Sequence, residues 1–255
     1  MKYFRMNKEE MPFLDHLEEL RWRLIWSLAC AFIGAIVGFF AIQYFNVLGI
    51  MIAPIEPFLS GERLKYLNPV DPFFITLKLG VILGLLLASP IIVYHIWAFL
   101  SPALLQSEKR AIIPSLYMGL VLFAVGVLMA YHLVVPMTLR FTMGFQTDTM
   151  EQAITMKDHL SFMIRILLAF GIVFELPVVV LFLSVLGIVT PEFLTEKRRY
   201  AVAGITILSA VLTPGDVITV TVMMMVPLMG LYEFSILLSR VVARRRLAAA
   251  AAADS

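Results

Sequence analysis

The sequence predicts an all-α membrane protein with six transmembrane helices, short fifth and sixth helices, and both termini in the cytoplasm. Three observations predict it. The 255 residues are 61% apolar, against about 45–50% in a soluble domain, and mean hydropathy is +0.92. Long uncharged stretches recur at the length a bilayer demands, about 20 residues at about 1.5 Å each. Lysine and arginine gather in alternate loops, as they do in chains that insert with a fixed orientation.

The first span, 24–45, is free of charge. The second runs over 73–99 and the third over 111–136. The fourth, 162–188, is interrupted only by Arg165 near one end and Glu175 in the middle. Sixteen uncharged residues separate Arg199 from Asp216, and 16 more separate Asp216 from Glu233. Thr213-Pro214-Gly215-Asp216 between them is a strong turn signal. These give a short hairpin of spans at 200–213 and 217–239. Residues 1–246 therefore read as a single polytopic membrane domain, and 247–255 as a low-complexity tail.

Orientation follows the basic residues. The face holding the N-terminus, Lys109 and Arg110, Lys197 to Arg199, and Arg240 to Arg246 carries fourteen of them. The opposite face carries four: Arg63, Lys65, Arg140 and Lys157. The richer face is cytoplasmic by the positive-inside rule. On the outer side, 46–72 is punctuated by Pro54, Pro57, Gly61, Pro69 and Pro72 and reads as a structured cap. The second outer loop spans 141–160. No internal repeat of the transporter kind is visible.

Composition excludes several classes. Charged residues make up 15% and formal net charge is +2, with no basic patch dense enough for nucleic acid. Cys30 is the single cysteine, so no intrachain disulfide forms. The first apolar stretch is too long for a signal-peptide core and reads as a retained span. His16, His95, His132 and His159 lack metal-ligand spacing, so no metal is expected. No glycine-rich phosphate loop is present and no cofactor is expected. The chain has no GxSxG or HExxH motif and no paired intramembrane aspartates, which argues against a protease. Met223 to Met225 read as packing.

Two cytoplasmic segments are distinctive. The first is Phe13-Leu14-Asp15-His16-Leu17-Glu18-Glu19-Leu20-Arg21-Trp22-Arg23-Leu24. The second is Trp97-Ala98-Phe99-Leu100-Ser101-Pro102-Ala103-Leu104-Leu105-Gln106-Ser107-Glu108-Lys109-Arg110. Taken locally, Asp15 and the glutamates lie three and four apart on a helix, and Glu19 stands i,i+4 to Arg23, which is a solvated ion pair. Glu108 follows Pro102 at a helix start, where an acid suits the dipole or pairs with Lys109 or Arg110.

These segments resemble the HLxELRxRL and WxFxxPALxxxEKR signatures of the TatC family, which belongs to the twin-arginine protein translocase. The likeness continues in order through Ala53-Pro54, Pro72-Phe73-Phe74, Phe170 to Pro177, Gly187 to Glu192, Leu212 to Asp216 and Pro227-Leu228. The resemblance implies a non-enzymatic receptor in the cell inner membrane, driven by the proton-motive force. It implies binding of Arg-Arg signal peptides through Glu19, Arg21, Phe99 and Glu108. It also implies partnership with the single-span subunits TatB and TatA, and homo-oligomerisation within the complex. Adjacent guanidiniums favour carboxylates in bidentate geometry, which suits two acids.

Glu175 sits in mid-span, where a charge costs about 2.5–3.5 kcal/mol on insertion scales. It reads either as a protonated acid bonded to a neighbouring helix, or as an intramembrane polar contact for a partner span or part of a hydrated groove. Its presence also keeps open an alternative function, a proton-coupled secondary transporter. Asp216 reads as a helix N-cap, and Arg165 as snorkelling to the interface. Many relatives carry an amide soon after the turn aspartate; here Thr219 and Thr221 stand in that stretch and take the partner contact.

Overall fold

The computed structural model describes residues 13–59, 61, 63–100, 106–144, 154–212 and 218–253. Among them there is no β-strand, only an isolated bridge between Lys65 and Thr155. The helices are α1 (Phe13–Tyr44), α2 (Val47–Ile52), α3 (Asp71–Leu100), α4 (Gln106–Met129), α5 (Val135–Gly144), α6 (Met156–Val173), α7 (Leu176–Val185), α8 (Pro191–Glu196), α9 (Arg198–Leu212) and α10 (Ile218–Ala253).

Five stretches are long and apolar enough to cross a bilayer: His16–Tyr44, Asp71–Ile96, Pro114–Gly144, Met156–Val185 and Met224–Arg244. Helix α9 is the remaining apolar rod. Its 15 residues reach only about 22 Å at 1.5 Å each, against a hydrocarbon core of about 30 Å. Trp22, Trp26, Phe32 and Phe40 on α1 are exposed, as are Phe73, Val81 and Leu85 on α3. Side chains of this kind need lipid as their solvent. The protein is an all-α membrane protein.

The chain forms two compact units. One takes in Met1–Phe45 and Thr76–Leu105, the other Asn46–Ile75 and Gln106–Ser255. In the first unit α1 and α3 meet backbone to backbone. A Cβ built on Gly84 would stand 2.2 Å from the carbonyl carbon and oxygen of Gly34, and one on Gly38 2.3 Å from the carbonyl oxygen of Gly80. Gly34 and Gly38 on one helix, and Gly80 and Gly84 on the other, form two facing GxxxG pairs. Small residues let helices approach closely where lipid supplies no hydrophobic drive.

In the second unit α4 and α5 make one rod joined by a π-turn, Ala130–Val134. The helix thus runs to Gly144, beyond the expected span end at 136, and takes in the start of the expected outer loop. Helices α6 and α7 are separated by Phe174 and Glu175. Pro177 supplies the physical reason: it has no N–H for the Val173 carbonyl and its ring disfavours a straight continuation. Helix α6 begins at Met156, six residues before the expected span, because Thr155 caps it by accepting from the Asp158 N–H at 3.1 Å. Helix α4 packs on α6 and α7, and α10 on α7, α8 and α9. Leu160, Met163, Ile166 and Phe170 are fully buried. Ser184 Oγ donates to Ser239 Oγ at 2.9 Å between α7 and α10. Helix α10 continues through the alanines of the 247–253 tail, alanine being the strongest helix former.

The segment after α1 is structured. Asn46 takes a left-handed conformation, φ 47°, and opens α2. Tyr131 Oη donates to the Ile50 carbonyl at 2.7 Å. His159 Nε2 lies 2.9 Å from the Met51 carbonyl, which can only accept, so that nitrogen carries the proton. Farther along, the Met156 N–H donates to the Lys65 carbonyl at 2.8 Å, and Lys157 stands 4.0 Å from Asp71. The expected cap is therefore tied to the π-turn and to α6 through backbone carbonyls. Pro54 lies in the turn after α2 and Pro72 in the first turn of α3.

Candidate functional site

Glu19, Arg21 and Phe99 belong to the first unit. Glu19 is near the start of α1, with its side chain 22% exposed. Arg23, one turn on, donates from Nε to Glu19 Oε1 at 2.8 Å and from Nη2 to the same oxygen. The other oxygen, Oε2, is closed off and accepts no hydrogen bond among the described residues. His16 Nδ1 stands 3.9 Å from it. The His16 ring in turn lies flat on Phe99, with centroids 4.4 Å apart and planes 12° from parallel. Arg21 is exposed, with no ion pair found among the described residues.

The i,i+4 pairing of Glu19 with Arg23 was legible from spacing. The stack of His16 on Phe99 was not, although His16 precedes Glu19 by one turn, which is the signal that would have marked it. Glu108 lies in the first turn of α4, and its side chain falls outside the described residues.

Glu175 occupies the break between α6 and α7. Its carboxylate rests against bare backbone: a Cβ on Gly119 would stand 2.7 Å from Oε2 and 3.3 Å from Oε1. Any larger residue at that place on α4 would displace the carboxylate. Nearby, Gly126 faces Phe170 and Phe174, and Gly171 faces Phe123. The interface of α4 with α6 is thus carved by small residues around a central acid. No hydrogen bond to Glu175's carboxylate is found among the described residues.

Thr221 lies on α10 and is partly exposed, while the Thr219 side chain and Asp216 lie outside the described residues. The hairpin partners are held by other groups. Arg198 Nη2 donates to Glu233 Oε2 at 2.7 Å, and Tyr232 Oη donates to the Leu194 carbonyl at 2.6 Å. Thr190 caps α8 through the Phe193 N–H. Among the described residues no cluster of side chains has the makings of a metal site.

Long lipid-facing helices, a broken span holding an acid, and a polar cluster on the first helix define a multi-pass helical membrane protein. Residues 15–227 match the family model described as Sec-independent protein translocase protein (TatC). The TatC of Aquifex aeolicus is 38% identical over 238 residues, covering 92% of this chain and 98% of that protein. The TatC of Desulforapulum autotrophicum is 37% identical over 241 residues, covering 94% of this chain and 88% of that one. A crystal structure described as the twin arginine translocase receptor TatC superposes with a TM-score of 0.75 at 37% identity, covering 89% of this chain and 99% of that one. The chain belongs to the TatC family: it is a membrane component of the Sec-independent protein translocase, a transport protein and not an enzyme.

Proposed function

We propose that this protein is the receptor subunit that binds Arg-Arg signal peptides of folded precursors and assembles with TatA and TatB for export driven by the proton-motive force. It would lie in the cell inner membrane with both termini cytoplasmic. Glu19 and Glu108 are the acids that meet the two guanidiniums, with Arg21 and Phe99 beside them. One observation carries this reading: Glu19 already holds a guanidinium through two donors on one oxygen, the chemistry that an arginine ligand requires. The likeness to the solved twin arginine translocase receptor TatC supports it.

Glu175 is the contact for a partner span. A donor carried by a neighbouring helix would find there an acid set in a notch, with no hydrogen bond to its carboxylate among the described residues. Thr219 and Thr221 on α10 are the further candidates for partner contact, with Pro54, Pro72 and Asp216 shaping the outer ends. Copies of the chain associate within the complex.

The test is the affinity of a purified Arg-Arg signal peptide for the wild type, for Glu19→Gln, for Glu108→Gln and for the double variant. A hydrogen bond to a charged group contributes about 1.5–3 kcal/mol, so each single change is expected to weaken binding about tenfold or more. Unchanged affinity in both singles would leave Glu19 as no more than an ion-paired helix residue.

A further inference from the structure

Glu19 is not vacant. A ligand arginine that binds it must deal with Arg23, which already fills Oε1 with two donors. The pair is not a freely solvated one, since only 26% of the Arg23 side chain and 22% of the Glu19 side chain are exposed. Oε2 offers no easy alternative: it is closed to solvent, with His16 at 3.9 Å, and His16 is pinned by its stack on Phe99. Pulling Arg23 away without replacement would leave a half-buried carboxylate unpaired, which is costly. Only a group that restores the same planar, two-donor contact offsets that loss, and a guanidinium does so where an ammonium does not.

We propose that Arg23 is an internal placeholder, an intrachain guanidinium that closes Glu19 in the empty protein and is exchanged for an arginine of the ligand. This rests on the reading of Glu19 as a ligand-binding acid. The exchange makes discrimination a difference between two contacts on one carboxylate. A lysine-bearing peptide fails because it cannot outcompete the resident fork, even though it could pair with an open acid. Arg23 is therefore a specificity-determining residue that need not touch the ligand.

The experiment uses the full-length protein in detergent and compares an Arg-Arg peptide with the same peptide carrying Lys-Lys. Variants are Arg23→Gln, Arg23→Lys and Glu19→Gln, each checked for unchanged thermal unfolding. In Arg23→Gln the Arg-Arg peptide is expected to bind about fivefold to tenfold tighter, since no partly buried ion pair has to be displaced. The Lys-Lys peptide should gain more, so that the ratio of the two affinities shrinks. Arg23→Lys should fall between. If affinity and ratio are unchanged in Arg23→Gln, or binding weakens, the placeholder idea is wrong. Glu19→Gln separates the two readings: lost binding there with an unmoved Arg23→Gln sinks the placeholder alone, and unmoved binding in Glu19→Gln sinks both. If Arg23→Gln lowers the melting temperature, Arg23→Lys carries the decision. Its Arg-to-Lys affinity ratio must then be smaller than the wild type's.

Discussion

Glu175 lies against Gly119 with no side chain between them, so the two residues are one feature. A methyl group at Gly119 would sit 2.7 Å from Oε2, and the carboxylate would have to leave its notch. Overpacking of this sort costs about 1–3 kcal/mol. Gly119→Ala is expected to lower the unfolding temperature in detergent, and Glu175→Ala should remove the clash. The double variant is therefore expected to melt close to Glu175→Ala alone, a non-additivity readable by differential scanning. Strict additivity would show that the two side chains do not meet. Glu175 itself was legible in the sequence because a charge stands out in an apolar run. Gly119 was not, because its role depends on the phase of two helices whose pairing no local pattern states. Likewise, the i,i+4 spacing gave Glu19 its partner Arg23, while Phe99 meets His16 only through packing.

Helices α1 and α3 depend on four glycines for their contact. Gly84→Leu is expected to force the helices apart and to cost several kcal/mol, as other overpacked cores do at about 1–3 kcal/mol per strained site. Gly204 on α9 is the internal control: nothing lies within 4 Å of its would-be Cβ. Gly204→Ala is expected to be neutral, or to stabilise by up to about 1 kcal/mol through helix propensity. Thermal melts of the two variants side by side check this, and equal losses would refute the close packing. The GxxxG spacing is present in the sequence, but spacing alone does not say which helices face each other. Helix ends were the least legible feature. Hydropathy reports where lipid begins and ends, whereas α5 runs on to Gly144 and α6 starts at Met156 because backbone hydrogen bonds and a Thr155 cap continue beyond the apolar stretch. The break at Phe174–Glu175 was announced by Pro177, and the π-turn at Ala130–Val134 by Pro136, which has no N–H for the His132 carbonyl.

Across the molecule, the long apolar stretches made the class of fold legible in the sequence, because lipid leaves few alternatives to a bundle of helices. Orientation has its own test. A cysteine at position 254, introduced with Cys30 replaced by Ala, is expected to resist a membrane-impermeant maleimide in intact cells and to react after lysis. Labelling in intact cells would reverse the orientation or change the number of crossings. The segment after α1 is anchored by groups made much later in synthesis. The partners of the Ile50 and Met51 carbonyls, Tyr131 and His159, come 81 and 108 residues later in the chain. At a synthesis rate of about 5–20 residues per second, Met51 waits roughly 5–20 s for its partner. The segment is made early and finished late. A nascent chain halted between residues 132 and 158 would hold the first of these anchors and lack the second.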